Sequence, residues 1–259
     1  MLTIKNYVKV KSLEEAYELN QKKSNRVIGG MLWLRLSDLR VQTAIDLSGL
    51  GLDQIEETEE AFSIGCMTTL RQLELHGGLD CYTGGALRES LRHIVGVQFR
   101  NLATVGGSIY GRFGFSDVLT MFLVLDTYVE LYRGGILPLK EFLARKKDRD
   151  ILVRLIVKKK PVSCCYISQR NTKTDFPVLT CAASCLDGRY RAAIGARPAA
   201  AVLVEEEEEM MQDLNREQAA KAFADWVAEQ VVTGSNMRAG KEYRMHLCRV
   251  LTERAVSRL

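Results

Sequence analysis

No apolar run in this sequence reaches the roughly 18 residues that a membrane-spanning helix requires. Its opening, MLTIKNYVKVKS, lacks the apolar centre of a secretion signal. A cytoplasmic protein with no membrane association is the expectation. An excess of one charge is also missing: 36 Lys and Arg stand against 32 Asp and Glu, a formal net charge of +4. That balance gives no reason to expect nucleic acid as a partner. Histidine is scarce, at positions 76, 93 and 246 only, and the cysteines Cys66, Cys81, Cys164, Cys165, Cys181, Cys185 and Cys248 form no Cys-x-x-Cys pair. They read as buried free thiols, and no metal site is expected. Cys181 and Cys185 would share a face on a helix, but FPVLTCAASCLDG runs into an Asp-Gly turn and reads as a strand.

Catalytic signatures are lacking as well. The sequence holds no G-x-S-x-G, no H-E-x-x-H, no Walker loop and no G-x-G-x-x-G after a strand, which argues against a hydrolase or a P-loop enzyme. His93, in ESLRHIVG, reads as a structural residue on a helix, and no catalytic residue is nominated.

What is present is an ordinary globular composition, 47% hydrophobic and 26% charged over 259 residues, enough for one large domain or two smaller ones. Ser12 and Glu15 form a capping box that opens a helix in KSLEEAYELNQ. RVIGG, TAIDLS and FSIGC read as short strands, and TTLRQLEL and ALRESLRHIV as helices, so strands alternate with helices as in a small α/β unit with parallel pairing. Ser116 reads as the N-cap of DVLTMFLVLD, with strands TYVELYRGG and ILVRLIV after it. A composition shift at KKKPVS, Lys158 to Pro161, marks a boundary between a domain over 1–160, with lobes of about 1–50 and 51–160, and one over 161–259. The second has three predicted antiparallel strands, two of them joined by the Asp187-Gly188 hairpin turn. Three predicted helices close the chain: PAAAVLVEEEEEMM, with Glu205 to Glu209 as its solvated end, REQAAKAFADWVAEQV after the cap Asn215, and KEYRMHLCRVLTERAV.

Two glycine pairs stand out. Gly29-Gly30 ends the strand RVI, and Gly106-Gly107 lies in ATVGGS. Either pair is accounted for by a tight turn alone. Brought together, however, two side-chain-free turns can point backbone N–H groups at a pyrophosphate from both sides. Thr104 and Ser108 would add hydroxyls beside the second pair, and Asp117, at the following helix cap, could accept hydrogen bonds from ribose.

The order of these pieces resembles the FAD-binding medium subunits of the molybdenum hydroxylases, of the xanthine dehydrogenase and carbon monoxide dehydrogenase type. The resemblance rests on RVIGGMLWL, on QFRNLATVGGS, on Asp117 ten residues beyond the second pair, and on the helix EYRMHLCRVLTERAV, and it runs the length of the chain. It implies an α+β architecture: a vanillyl-alcohol-oxidase-type FAD-binding domain of two α/β lobes, then a C-terminal domain of a three-stranded antiparallel sheet and helices. It further implies FAD held by Val27, Ile28, Gly29, Gly30, Met31 and Leu32 on one side and Thr104, Val105, Gly106, Gly107 and Ser108 on the other. Asp117 would lie at the ribose and Leu152, in DIL, at the adenine. Met31, Leu32 and Trp33 stand where many relatives carry polar residues, Phe113 and Gly114 replace a Ser-Pro, and Ser168 replaces a common Lys.

The implied function is an oxidoreductase subunit that takes electrons from a two-iron iron-sulfur subunit and passes them to NAD or another acceptor, beside a molybdopterin-binding large subunit. A flavin carries the redox chemistry itself, which accounts for the missing acid and base residues. The cysteines form no cluster pattern of their own, so the iron-sulfur centre belongs to a partner. The alternatives are an assembly subunit of the same fold without flavin and a stand-alone flavin oxidase.

Overall fold

The computed structural model describes residues 1–207, 211 and 214–259. In chain order its elements are β1 (Thr3–Lys9), α1 (Leu13–Asn20), β2 (Arg26–Ile28), a 3-10 turn (Leu34–Leu36), β3 (Arg40–Asp46), β4 (Ile55–Glu57) and β5 (Ala61–Gly65). Next come α2 (Leu70–Leu75), α3 (Gly77–Tyr82), α4 (Ala86–Arg92), α5 (Val97–Arg100), α6 (Val105–Gly111), α7 (Asp117–Leu123), β6 (Thr127–Leu131), β7 (Gly135–Pro138), α8 (Leu139–Ala144) and β8 (Leu152–Lys158). The chain closes with β9 (Val162–Arg170), β10 (Pro177–Leu186), β11 (Arg189–Gly195), β12 (Val202–Glu205), α9 (Arg216–Gln230) and α10 (Lys241–Val256).

These elements form two compact units that do not follow a single cut in the sequence. One takes Met1–Gln72, Val97–Gly111 and Thr127–Val157; the other takes Leu73–Gly96, Arg112–Asp126 and Lys158–Leu259. The first unit holds a parallel sheet in the order β1-β3-β2, as the alternation of strand and helix led one to expect, with Tyr7 opposite Ala44 and Val27 opposite Ile45. The β1–α1–β2 stretch supplies the helical crossover that a parallel arrangement demands. Ser12 caps α1, its Oγ accepting from the Glu15 N–H at 3.1 Å. A second sheet of this unit runs β4-β5-β8-β6-β7, with Phe62, Ile64, Val129 and Leu155 fully buried.

The second unit is built on an antiparallel sheet in the order β12-β11-β10-β9. Nearly every residue of β10 is buried because helices cover both of its faces, α7 on one and α10 on the other. Leu179, Cys181 and Ala183 join Ile194, Phe223, Val227, Cys248 and Leu251 in one apolar cluster. The alternate residues point the other way: the Thr180 and Thr120 hydroxyls lie 3.1 Å apart, and the Ser184 hydroxyl donates to the Val124 carbonyl at 2.6 Å. The β10–β11 turn has the expected chemistry, with Asp187 at φ 51° and Gly188 at φ 79°.

Two expectations need correction. PAAAVLVEEEEEMM is not a helix up to the point where it is described: Val202–Glu205 adds a fourth strand, β12, to a sheet expected to have three. Alanine and glutamate favour helix locally, but the open edge of β11 offers ladder hydrogen bonds, with Ile194 opposite Val202 and Ala192 opposite Val204, and that tertiary gain prevails. Glu205 therefore ends a strand, Glu206 and Glu207 follow it, and Glu208 and Glu209 lie outside the described residues. The second glycine pair is likewise not in an open turn but in the first turn of α6.

Candidate functional site

Both glycine pairs lie in the first unit, and the structure brings them together. The chain leaves β2 after Ile28, so the amides of Gly29, Gly30 and Met31 lie beyond the β2–β3 ladder. A Cβ on Gly30 would fall 1.9 Å from the Leu102 carbonyl oxygen, and one on Gly29 would fall 2.5 Å from the Thr104 Oγ1. Only glycine permits this approach of one backbone to the other. Met31 follows at φ 57°, a left-handed conformation uncommon for a residue with a side chain. Its carbonyl accepts from the Arg35 N–H at 3.0 Å and so opens the 3-10 turn. Trp33 packs against Phe99 with ring centroids 5.9 Å apart, a second point of contact between the two segments.

The second segment is tied to the five-stranded sheet before it turns helical. The Leu70 N–H donates to the Ala103 carbonyl at 2.8 Å, Val105 donates to Thr68 at 2.9 Å, and Gly106 donates to Cys66 at 2.8 Å. A Cβ on Gly106 would lie 2.7 Å from that same Cys66 carbonyl oxygen, which accounts for this glycine by packing alone. The Gly107 N–H donates to Thr104 Oγ1 at 3.2 Å, and the Ser108 hydroxyl donates to the Thr104 carbonyl at 3.1 Å. The N–H groups of Gly106 and Gly107 are thus already committed within the protein. The second segment offers instead the Thr104 hydroxyl, which accepts from Gly107 and keeps its own proton to donate. Gly29 and Gly107, both exposed, stand on either side of this buried hydroxyl. A Cβ on Gly107 would meet only Thr104 Oγ1, at 3.1 Å, and otherwise faces open space.

Val27, Ile28, Leu32 and Val105 contribute backbone and packing; Ile28, Leu32 and Val105 are buried. Leu152 begins β8 in the same unit and is 5% exposed. Asp150 before it accepts from the N–H groups of Gly134 at 2.7 Å and Arg133 at 3.1 Å, which anchors the start of β8 to the β6–β7 hairpin.

Asp117 belongs to the second unit. Ser116 caps α7 as expected, its Oγ accepting from the Leu119 N–H at 3.1 Å. Asp117, the first residue of that helix, is 5% exposed, and its Oδ1 accepts from the Tyr166 hydroxyl and the Arg170 guanidinium. Burial pushes its carboxyl up to about 6, against the opposing pull of the Arg170 charge and the Tyr166 hydrogen bond. The same burial and the nearby carboxylate hold the Tyr166 hydroxyl well above its ordinary range. Neither partner carries a local signal, since both lie on β9 some fifty residues away. Ser168, on the same strand, accepts from Arg170 Nε at 3.3 Å and lines a cavity of about 380 Å³ together with Tyr166, Arg170, Lys173, His93 and Arg258. Gly114 lets the chain pass close to Ala199: a Cβ there would lie 2.8 Å from its carbonyl oxygen.

Comparison with known proteins identifies the family of both parts of the chain. The model of the FAD binding domain in molybdopterin dehydrogenase matches residues 2–159, and that of the CO dehydrogenase flavoprotein C-terminal domain matches residues 165–259. An uncharacterized Escherichia coli K12 protein, YgfM, is 26% identical over 255 residues, covering 96% of this chain and 93% of that protein. The xanthine dehydrogenase FAD-binding subunit of Escherichia coli O157:H7 is 27% identical over 237 residues, covering 84% and 79%. Among solved structures, carbon monoxide dehydrogenase from Hydrogenophaga pseudoflava has a chain of the same fold, with a TM-score of 0.85 at 18% identity, covering 99% of this chain and 97% of that one. Quinoline 2-oxidoreductase from Pseudomonas putida 86 gives a TM-score of 0.81 at 18% identity, covering 100% and 96%.

Proposed function

The chain belongs to the family of molybdopterin dehydrogenase FAD-binding domains, and from that premise we propose that it is the electron-transferring flavoprotein subunit of a xanthine dehydrogenase-like molybdenum hydroxylase. Its cofactor is FAD. The observation that carries the reading is the closure of the two glycine segments on Thr104, with the exposed Gly29 and Gly107 leaving that hydroxyl flanked by bare backbone. Such a cradle fits a pyrophosphate, which needs close backbone approach and donors more than it needs a cation.

In this reading the amides of Gly29, Gly30, Met31 and Leu32 and the hydroxyl of Thr104 hold the phosphates. Gly106 and Val105 fix the second segment, Val27 and Ile28 deliver the first, and Ser108 orients the Thr104 carbonyl. Leu152 supports the adenine side. Asp117 is bound within the second unit by Tyr166 and Arg170, which fix the first turn of α7. When bound, FAD supplies the redox chemistry, receiving electrons from a two-iron iron-sulfur subunit and passing them to NAD or another acceptor. A molybdopterin-binding large subunit completes the complex, which works in the cytoplasm.

The test is a titration of the purified chain with FAD. Uptake of one FAD with visible flavin absorbance supports the reading. A colourless protein that does not respond to FAD would overturn it in favour of a flavin-free assembly subunit.

A further inference from the structure

The two glycine segments are held together at more than the site itself. Each leads away through one short element: backwards along β2 from Gly29 to Asn25, and forwards along α6 from Gly106 to Gly111. At a rise of about 3.3 Å per strand residue and about 1.5 Å per helical residue, the first strut is about 13 Å long and the second about 8 Å. The far ends of both are gripped by one segment, residues 145–149, between α8 and β8. Lys147 Nζ donates to the Gly111 carbonyl at 2.8 Å, and the Tyr110 hydroxyl lies 2.9 Å from both the carbonyl oxygen and Oδ1 of Asp148. Arg149 takes the other strut: its guanidinium donates to the carbonyls of Asn20, Lys22 at 2.8 Å and Asn25 at 3.0 Å, while Asn20 Nδ2 donates back to the Arg149 carbonyl at 2.8 Å. Asp150, bound to the β6–β7 turn, ties this segment to the five-stranded sheet.

We propose that Arg149 is a positioning residue for the flavin cradle, clasping the 20–25 loop to the end of α6 so that the spacing of the two glycine segments is fixed before FAD arrives. This rests on the functional reading above. Arg149 is suited to the task because one guanidinium satisfies several carbonyls of a loop that has no regular secondary structure, which a lysine cannot do. Both ends of the paired struts are then closed, by the Gly29–Thr104 and Gly30–Leu102 contacts at the site and by Arg149 and Tyr110 at the other end. A cradle fixed in advance loses less ordering entropy on binding.

The experiment uses the full chain with Arg149→Ala, Arg149→Lys and Tyr110→Phe. Amide hydrogen exchange of the FAD-free protein should be faster at Gly29–Leu32 and Gly106–Ser108 in Arg149→Ala and unchanged in β10. FAD affinity should fall roughly tenfold in the same variant, with a partial recovery in Arg149→Lys and a smaller loss in Tyr110→Phe. Unchanged exchange at both glycine segments overturns the proposal, as does faster exchange with unaltered FAD affinity. Faster exchange in β10 as well, with thermal stability falling in step, would make Arg149 a general structural residue and would overturn it too. Failure of the wild-type chain to take up FAD is seen in the same titration and defeats the functional reading itself.

Discussion

Substitution at Gly107 and at Gly30 should separate the binding role of the glycine pairs from their packing role. At Gly107 a Cβ meets only Thr104 Oγ1, at 3.1 Å, a contact that a few tenths of an ångström of movement relieves. The residue lies in α6, where valine is intrinsically better than glycine by about 0.3–0.5 kcal/mol. Gly107→Val should thus leave the stability of the FAD-free protein within about 0.5 kcal/mol of wild type. Its branched methyl groups, however, cover the Thr104 hydroxyl. Loss of one hydrogen bond to a charged phosphate, about 1.5–3 kcal/mol, corresponds to a roughly ten- to hundredfold weaker affinity for FAD. At Gly30 the Cβ would lie 1.9 Å from a backbone carbonyl oxygen, which must retreat by more than an ångström. Gly30→Ala should therefore destabilise the protein even without FAD, by about 1–3 kcal/mol or more. Thermal denaturation of the FAD-free proteins and fluorescence titration with FAD measure both quantities. Wild-type FAD affinity in Gly107→Val, or undiminished stability in Gly30→Ala, would refute the reasoning.

Three further outcomes are expected. Arg244, fully buried on α10, donates to the carbonyls of Val178 at 2.9 Å, Gly234 at 2.8 Å and Ala239 at 2.6 Å and to Asn236 Oδ1 at 2.6 Å. Arg244→Met should cost about 3–5 kcal/mol in urea denaturation, and a loss below about 1 kcal/mol would show that the 233–240 loop does not depend on it. The carboxyl of Asp117, raised to about 6, is protonated in the folded protein before it is in the unfolded chain, whose value is near 4. Between those values the folded state holds the extra proton, so this group adds stability at low pH that is lost as pH rises through about 6, on the order of 2–3 kcal/mol. Asp117→Asn should flatten that slope in urea midpoints measured across the window, and an unchanged slope would place the titration elsewhere. Iodoacetamide should label the exposed Cys81 well before Cys66, Cys164 and Cys248, whose thiols burial pushes up to about 12, as peptide mapping would read.

Much of the fold was legible because local signals and the final structure agree. The caps at Ser12, Ser116 and Asn215 each open the helix expected of them, and Asn215 with Gln218 completes a capping box. β12 was not legible, since the alanines before it and the glutamates that follow favour helix and mask the strand preference of Val202 and Val204, which the free edge of β11 makes good. Nor was the interleaving of the two units, which depends on where α4 and α7 find their partners rather than on a composition change at Lys158–Pro161. At the site, the glycine pairs announced a close approach, yet what approaches could not be read from them. At Gly29, Gly30 and Gly106 a Cβ would clash with the protein's own chain, and of the four only Gly107 has room for one beside the Thr104 hydroxyl. Arg149 and Arg170 escaped notice because an arginine bound to distant carbonyls or to a carboxylate on another element carries no local pattern.

That interleaving also sets a timetable for synthesis. The first unit has all its residues once position 157 has left the ribosome, whereas the second cannot finish until the last helix is made. Meanwhile α7, every residue of which ends up buried, waits for β10 and β11, and α4 waits for β9. At about 5–20 residues per second, the roughly seventy residues from the end of α7 to the end of β11 leave that apolar helix uncovered for about 4–14 s. A fragment cut at the boundary the sequence suggests would keep these helices and lose the sheet that covers them, so it should aggregate more readily than the whole chain.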